Sequence, residues 1–255
     1  MIKSLYFLLI LWFFPVSVFS QSKKLSARKV FPGETLYYEA NWGFLNIGRA
    51  RTVIDKKIYK IGSNVCYKIE AEGQSEGFGK IFNVHDKWTA YIDTATFVTH
   101  KSYRSIREGN KELDEIATFD QIKKKVAVKL YDKKTDAYVL SKVYDTPEHC
   151  KDIIAGFLTV RLEELTGYSV GDTITVNGFY EDEIYKISVL YLGKELITIK
   201  NTKISCHKLM PVVPKNSLFD GYNSVVVWLS DDIYQSIIRI KAKMFIGYVV
   251  MDFKK

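Results

Sequence analysis

The chain has 255 residues, 47% of them hydrophobic and 26% charged, which is enough apolar material for one sizeable core. With 15 Gly and 5 Pro, collagen-like, low-complexity and disordered classes are excluded. Aromatics reach 14% and lean toward strands, and the net charge of +8 comes mostly from dispersed Lys rather than an Arg-rich stripe, so nucleic-acid binding is not expected.

The first twenty residues read as a secretory signal. Lys3 gives a positive start, Leu5 to Phe14 is an apolar run, Pro15 breaks it, and Val18-Phe19-Ser20 sets the cleavage before Gln21. The run falls short of the roughly twenty residues that span a bilayer. No Cys follows the cut to carry a lipid anchor, and no later stretch is long and apolar enough to span as a helix. The expected organisation is a signal over 1–20, a short polar lead over 21–30 and a single β-rich domain over 31–255. Export, to an envelope compartment or out of the cell, is the expectation that follows from this. The dispersed positive charge is compatible with weak attraction to an anionic membrane surface.

Period-two alternation begins near Leu36 and hardly stops. Leu36, Tyr38, Ala40 and Trp42 share one face, and Gly43 to Asn46 turns the chain into Gly48, Ala50, Thr52 and Ile54. Val65, Tyr67, Ile69 and Ala71 follow, then Trp88, Ala90 and Ile92. Further runs are Phe97–Arg107, Leu113–Phe119, Lys125–Tyr131 and Ala137–Tyr144. After Gly171-Asp172 come Thr173–Phe179, Glu183–Tyr191, Leu196–Lys200, Thr202–Met210, Ser224–Leu229, Ile233–Lys243 and Phe245–Phe253. No Pro-, Gly- or Ser-rich linker interrupts them. The fold class is therefore mainly β: a curved antiparallel sheet, barrel or half-barrel, wrapped around one central α-helix.

That helix is expected over Thr146 to about Leu165. Thr146 has the chemistry of an N-cap, Pro147 fits the first helical position, and Gly167 is the natural stop. At about 100° per residue, Ile154, Phe157, Leu158, Leu162 and Leu165 fall in one arc with Arg161 near its middle. A guanidinium in an apolar stripe cannot stay unpaired. The reading that it forms an internal ion pair or carbonyl clamp, locking the helix into the sheet, stands beside two others. In one of these it lines a cavity and holds a ligand's acidic head group, and in the other it snorkels to solvent.

Candidate chemistry is sparse. His149-Cys150 and Cys206-His207 lack zinc-ligand spacing, and strand neighbours point to opposite faces, so no metal and no cofactor are expected. Cys150, placed in the first helical turn, is the best nucleophile candidate, needing a base from His85, His100 or His207. The bland alternative for Cys66, Cys150 and Cys206 is burial, or one disulfide with one thiol left over. The acidic clusters Glu112-Asp114-Glu115, Glu181-Asp182-Glu183 and Asp231-Asp232 read as solvated loops and polar strand faces. Gly73 to Gly79 lacks the following helix of a phosphate loop and reads as a bulge or wide turn. Trp42, Trp88 and Trp228 either pack in the core or line an apolar pocket with Tyr38 and Phe157.

Several stretches together resemble the bacterial family catalogued as domain of unknown function 3108. They are Gly33-Glu34-Thr35-Leu36-Tyr37-Tyr38 with Trp42 and Gly48, the Asp145-to-Arg161 segment, Gly171-Asp172, and Trp228-Leu229-Ser230-Asp231-Asp232. The resemblance runs from about Phe31 to Phe253. It implies an exported Gram-negative envelope protein with a curved sheet around a helix, similar to lipoprotein-carrier-like folds that hold acyl chains. It supplies no functional residues, and Ile233-Tyr234-Gln235-Ser236 departs from the Pro the family pattern often carries there. The leading expectation is a non-enzymatic binding protein for a lipid-like or amphipathic ligand or an envelope partner protein. Arg161, Phe157, Trp42, Tyr38 and Trp88 form its candidate ligand-binding set. The alternatives are a hydrolase or thiol enzyme using Cys150 or paired acids, and a structural assembly factor with a filled interior and an exposed apolar edge.

Overall fold

The structure is a computed structural model that describes residues 30–212, 224–243 and 247–254. The signal segment and most of the polar lead lie outside the described residues. Strands β1 (Thr35–Trp42), β2 (Leu45–Ile61), β3 (Asn64–Ser75), β4 (His85–Asp93), β5 (Thr99–Glu108), β6 (Lys111–Asp120), β7 (Lys125–Asp132) and β8 (Ala137–Asp145) precede helix α1 (Ile153–Leu162). Strands β9 (Thr173–Tyr180), β10 (Glu183–Ile199), β11 (Thr202–Pro211), β12 (Val225–Ser230), β13 (Ile237–Lys243) and β14 (Tyr248–Lys254) follow it. Among the described residues no helix is long and apolar enough to cross a membrane.

All fourteen strands belong to one antiparallel sheet in the order β8-β7-β6-β5-β4-β3-β2-β1-β14-β13-β12-β11-β10-β9. Every neighbour is thus adjacent in sequence except β1 and β14, which join two meanders through Tyr38 opposite Phe253 and Trp42 opposite Val249. Short turns make this possible. The β9–β10 hairpin, for instance, turns through Glu181 and Asp182 with φ of +48° and +64°, the paired left-handed conformations that match strand twist.

The sheet is mainly β and not closed, since the edges β8 and β9 share no ladder. It curls until they meet through side chains. Phe179 of β9 packs at 6.2 Å from Phe119 and 5.0 Å from Tyr144. The backbone between β8 and α1 occupies this seam. The Thr146 amide donates to the Lys124 carbonyl at 2.8 Å, the Lys151 amide to Asn177 at 3.0 Å, and the Phe179 amide to Lys151 at 2.8 Å. This corrects the expected helix boundaries. Thr146 and Pro147 have capping chemistry, but their segment crosses the seam as irregular chain with a turn at Glu148-His149, where His149 takes a φ of +56°. The helix starts after Asp152, whose side chain accepts from the Ala155 amide. It ends at Leu162, before a separate 3-10 turn over Leu165–Gly167.

Two clusters meet at α1. Ala155, Leu158 and Leu162 pack with Ile54, Ile69, Ala90 and Ile92 from β2 to β4. Val160 and Leu165 pack with residues of β9 to β13, including Val176, Val189, Leu209 and Val227. The face of α1 that is buried is turned from the expected arc toward Ala155 and Thr159, leaving Phe157 38% exposed. The sequence Ile153–Leu162 is apolar on nearly all sides, so its pattern does not fix a phase.

Candidate functional site

Two groups of buried charge flank α1, one toward each end. At its last turn, Arg161 Nη2 lies 2.7 and 3.0 Å from the two carboxylate oxygens of Glu34, and Nε donates to the Tyr234 carbonyl at 2.8 Å. Gln235 Nε2 returns a hydrogen bond to the Arg161 carbonyl at 3.1 Å. Both ion-pair side chains are almost fully buried. The arrangement is an ion pair plus a carbonyl contact, and it ties the residue before β1, the end of α1 and the β12–β13 loop into one knot. A charge buried in this way needs such neutralisation in place.

At the other end, Asp152 Oδ1 accepts from the Ala155 amide at 3.0 Å and from Thr99 Oγ1 at 2.7 Å. Burial pushes this carboxyl up to about 6, against the lowering effect of those donors. Gln121 Nε2 donates to the carbonyls of Thr99 at 2.7 Å and Cys150 at 2.9 Å, pinning the seam. Beside Asp152 lies a cavity of about 20 Å³ walled by Trp88, Arg104, Glu115, Tyr180 and Glu181. That is room for about one water molecule. Arg104 pairs with Glu115 at 3.0 Å and with Glu181 at 3.3 Å, and stands over the Tyr180 ring at 5.1 Å. Burial raises the Glu115 carboxyl even beside that guanidinium. Trp88 Nε1 and Arg104 Nε are buried without a hydrogen-bond partner. Strand register explains the grouping: Trp88 opposes Arg104, and Arg104 opposes Glu115. All three therefore project from the face that carries α1.

A third polar group sits on β10 and β11. His207 Nε2 lies 2.9 Å from Asp231, and Nδ1 lies 3.0 Å from the Tyr191 hydroxyl. Lys194 reaches the same carboxylate at 2.7 Å and holds Asp231 below the usual carboxylate range. These contacts fix the loop that supplies Tyr234 and Gln235 to Arg161.

The five candidate residues do not converge on one pocket. Arg161 is knotted to Glu34. Tyr38 is buried, its ring edge-on to Phe253 at 6.3 Å, and burial pushes its hydroxyl well above the usual phenol range. Its backbone borders an open cleft of about 430 Å³ whose other walls, Tyr37, Glu39, Arg49 and Lys254, come from the opposite face of the sheet. That cleft is charge-paired, Glu39 with Lys254 and Arg49 with Glu76. Trp88 belongs to the small cavity, while Trp42 and Phe157 are each 38% exposed and at different places. Neither space is lined by Arg161.

The thiol candidate is corrected. Cys150 precedes the helix instead of occupying its first turn, and burial pushes its thiol up to about 11. Burial likewise raises Cys66 to about 11 and Cys206 to about 12, and all three are free. A thiolate nucleophile needs the opposite environment. Among the described residues, no three His, Cys, Asp or Glu side chains are grouped to hold a metal ion.

The sequence reading gave Glu34 and Tyr234 no site role, and Glu115, expected on a solvated polar face, is instead buried against Arg104. Alternation alone places Arg104 between the inward Ser102 and Ile106, and that signal was readable. The partner of Arg161 was not, because Glu34 lies 127 residues away.

An open, curled antiparallel sheet with one α-helix docked on it defines a mainly β domain. The chain belongs to the family described as "Protein of unknown function (DUF3108)", which matches residues 37–254. Among solved structures it aligns with a beta-barrel-like protein of domain of unknown function DUF1849 from Brucella abortus. That alignment has 10% identity and a TM-score of 0.49, covering 87% of this chain and 95% of that one. No curated protein matches.

Proposed function

We propose that this is an exported, non-enzymatic binding protein of a Gram-negative envelope, a rigid scaffold of sheet wrapped around α1 that meets an amphipathic ligand or a partner protein on its outer surface. The supporting observation is the filled contact between helix and sheet. Ala155, Leu158, Leu162 and Leu165 are all buried against side chains of both meanders. The 20 Å³ beside Asp152 is far smaller than the roughly 300–1,000 Å³ of a typical small-molecule site. Arg161 and Tyr38 then serve the scaffold, and Trp42 and Phe157 are the members of the candidate set within reach of a ligand. The raised thiols weigh against the thiol-enzyme alternative.

The test is fractionation of the native host with immunodetection and N-terminal sequencing. The expected result is a chain starting at Gln21 in the periplasmic or outer-membrane fraction. A chain with Met1 intact in the cytoplasm overturns the proposal. Labelling with a thiol-reactive probe at mildly acidic pH adds a second arm, in which rapid modification of folded Cys150 restores the enzyme reading.

A further inference from the structure

The end of the sheet remote from Arg161 has a different character. The β1–β2 turn and the β3–β4 connection lie together there, because antiparallel alternation returns both to the same end. Four large apolar side chains stand out from them: Phe44 is 95% exposed, Ile81 83%, Phe78 66% and Phe82 54%. The two segments are pressed against each other. The Glu76 amide donates to the Ile47 carbonyl at 2.9 Å. A Cβ on Gly79 would stand 1.8 Å from that same carbonyl oxygen, and one on Gly77 would stand 2.7 Å from the Asn46 carbonyl. Glycine is therefore required at this close approach, and the 3-10 turn Gly77–Phe82 lies with Gly79 inward and its large side chains outward. The base of the connection is closed by Ser75, whose hydroxyl accepts from the Val84 amide at 3.0 Å.

We infer that this end of the sheet, through Phe44, Phe78, Ile81, Phe82 and Lys80, docks on an anionic lipid surface. The inference rests on the envelope reading above and names the surface it leaves open. Three features favour lipid over a protein partner. The apolar groups sit on convex tips, which enter a fluid interface without needing a matching pocket. They are large and grouped rather than scattered singly, Phe78, Ile81 and Phe82 on one short turn and Phe44 on the turn that abuts it. Across residues 43–46 and 77–83 the only ionisable side chain is Lys80, which is exposed and has no ion-pair partner among the described residues. A knob of this kind carries one uncompensated positive charge, which complements anionic head groups and adds to a chain of net charge +8.

The test uses the chain from Gln21 onward, which contains every described residue, in co-sedimentation with phosphatidylglycerol-containing vesicles and with pure phosphatidylcholine vesicles. The wild type is expected to sediment with the anionic vesicles and to be released by salt. A quadruple variant, Phe44→Ser, Phe78→Ser, Ile81→Ser and Phe82→Ser, is expected to bind at least tenfold more weakly with an unchanged melting temperature. Lys80→Glu should weaken binding several-fold on anionic vesicles only. Two results overturn the inference: a wild type that stays in solution with both vesicle types, or a quadruple variant that sediments as well as the wild type. Loss of self-association in the quadruple variant, seen by analytical ultracentrifugation without any vesicle binding by the wild type, would reassign the knob to a protein interface. None of these outcomes bears on whether the chain is exported, so the two proposals fail separately.

Discussion

The two ends of this sheet solve opposite problems. Where α1 docks, buried polar side chains find partners within the chain: Arg161 has Glu34 and a carbonyl, Asp152 has Thr99 and the Ala155 amide, and His207 has Asp231 and Tyr191. At the far end, Phe44 and Ile81 are held almost wholly in solvent by a backbone that is itself tightly packed. Buried charge is costly and specifies one arrangement of helix, loop and strand. Exposed apolar surface is also unfavourable, but it leaves the scaffold intact while creating affinity for something else.

The comparison breaks most visibly at Arg161. Arg161→Met leaves Glu34 buried and unpaired, and should cost about 3–5 kcal/mol of unfolding free energy in urea. Combining it with Glu34→Leu should recover part of that loss. If the single variant costs under about 1 kcal/mol, the knot is not what holds this end. Leu162→Ala removes core packing from the same turn and should cost about 2–5 kcal/mol in the same assay.

Asp152 sharpens the comparison through pH. Its folded carboxyl lies at about 6, above the ordinary value of about 3.9. The folded state therefore binds the extra proton, and this group's contribution is fully present below about pH 4 and lost as pH rises through 6. Asp152→Asn keeps an acceptor for the Ala155 amide and removes the titration. It should gain stability relative to the wild type on going from pH 4.5 to 7.5, and a relative loss would reverse the sign of the argument. Asp152→Ala, which also lacks the cap, should be about 1 kcal/mol less stable than Asp152→Asn at either pH. The smallest effect belongs to the far end, where Phe44→Ser should shift stability by no more than about 0.5 kcal/mol. A larger loss would mean that the knob is part of the core.

Much of this was legible in the sequence because strands announce themselves locally. Alternation from Leu36 onward and turn residues such as Gly43 and Glu181-Asp182 give the meanders directly. Two kinds of information were not local. The segment Thr146–Lys151 has every feature of a helix start, yet it runs as irregular chain to a bridge between Lys151 and Gly178 of β9, and no neighbouring residue signals that use. The phase of α1 was hidden because only Thr159 and Arg161 interrupt its apolar surface. The ligand-binding set was chosen from large aromatics and one cation, and it was scattered by register, which sequence alternation sets only within each strand.

The pairing of β1 with β14 has a temporal consequence. Glu39 and Lys254 meet across 215 residues, so the first strand to emerge waits for the last one before its edge is covered. Contacts of such long range are slow to form. A nascent chain would carry β1 as an uncapped ribbon until its last strand has been made. A truncation before Tyr248 would leave that ribbon uncapped for good, a ready substrate for chaperones and proteases.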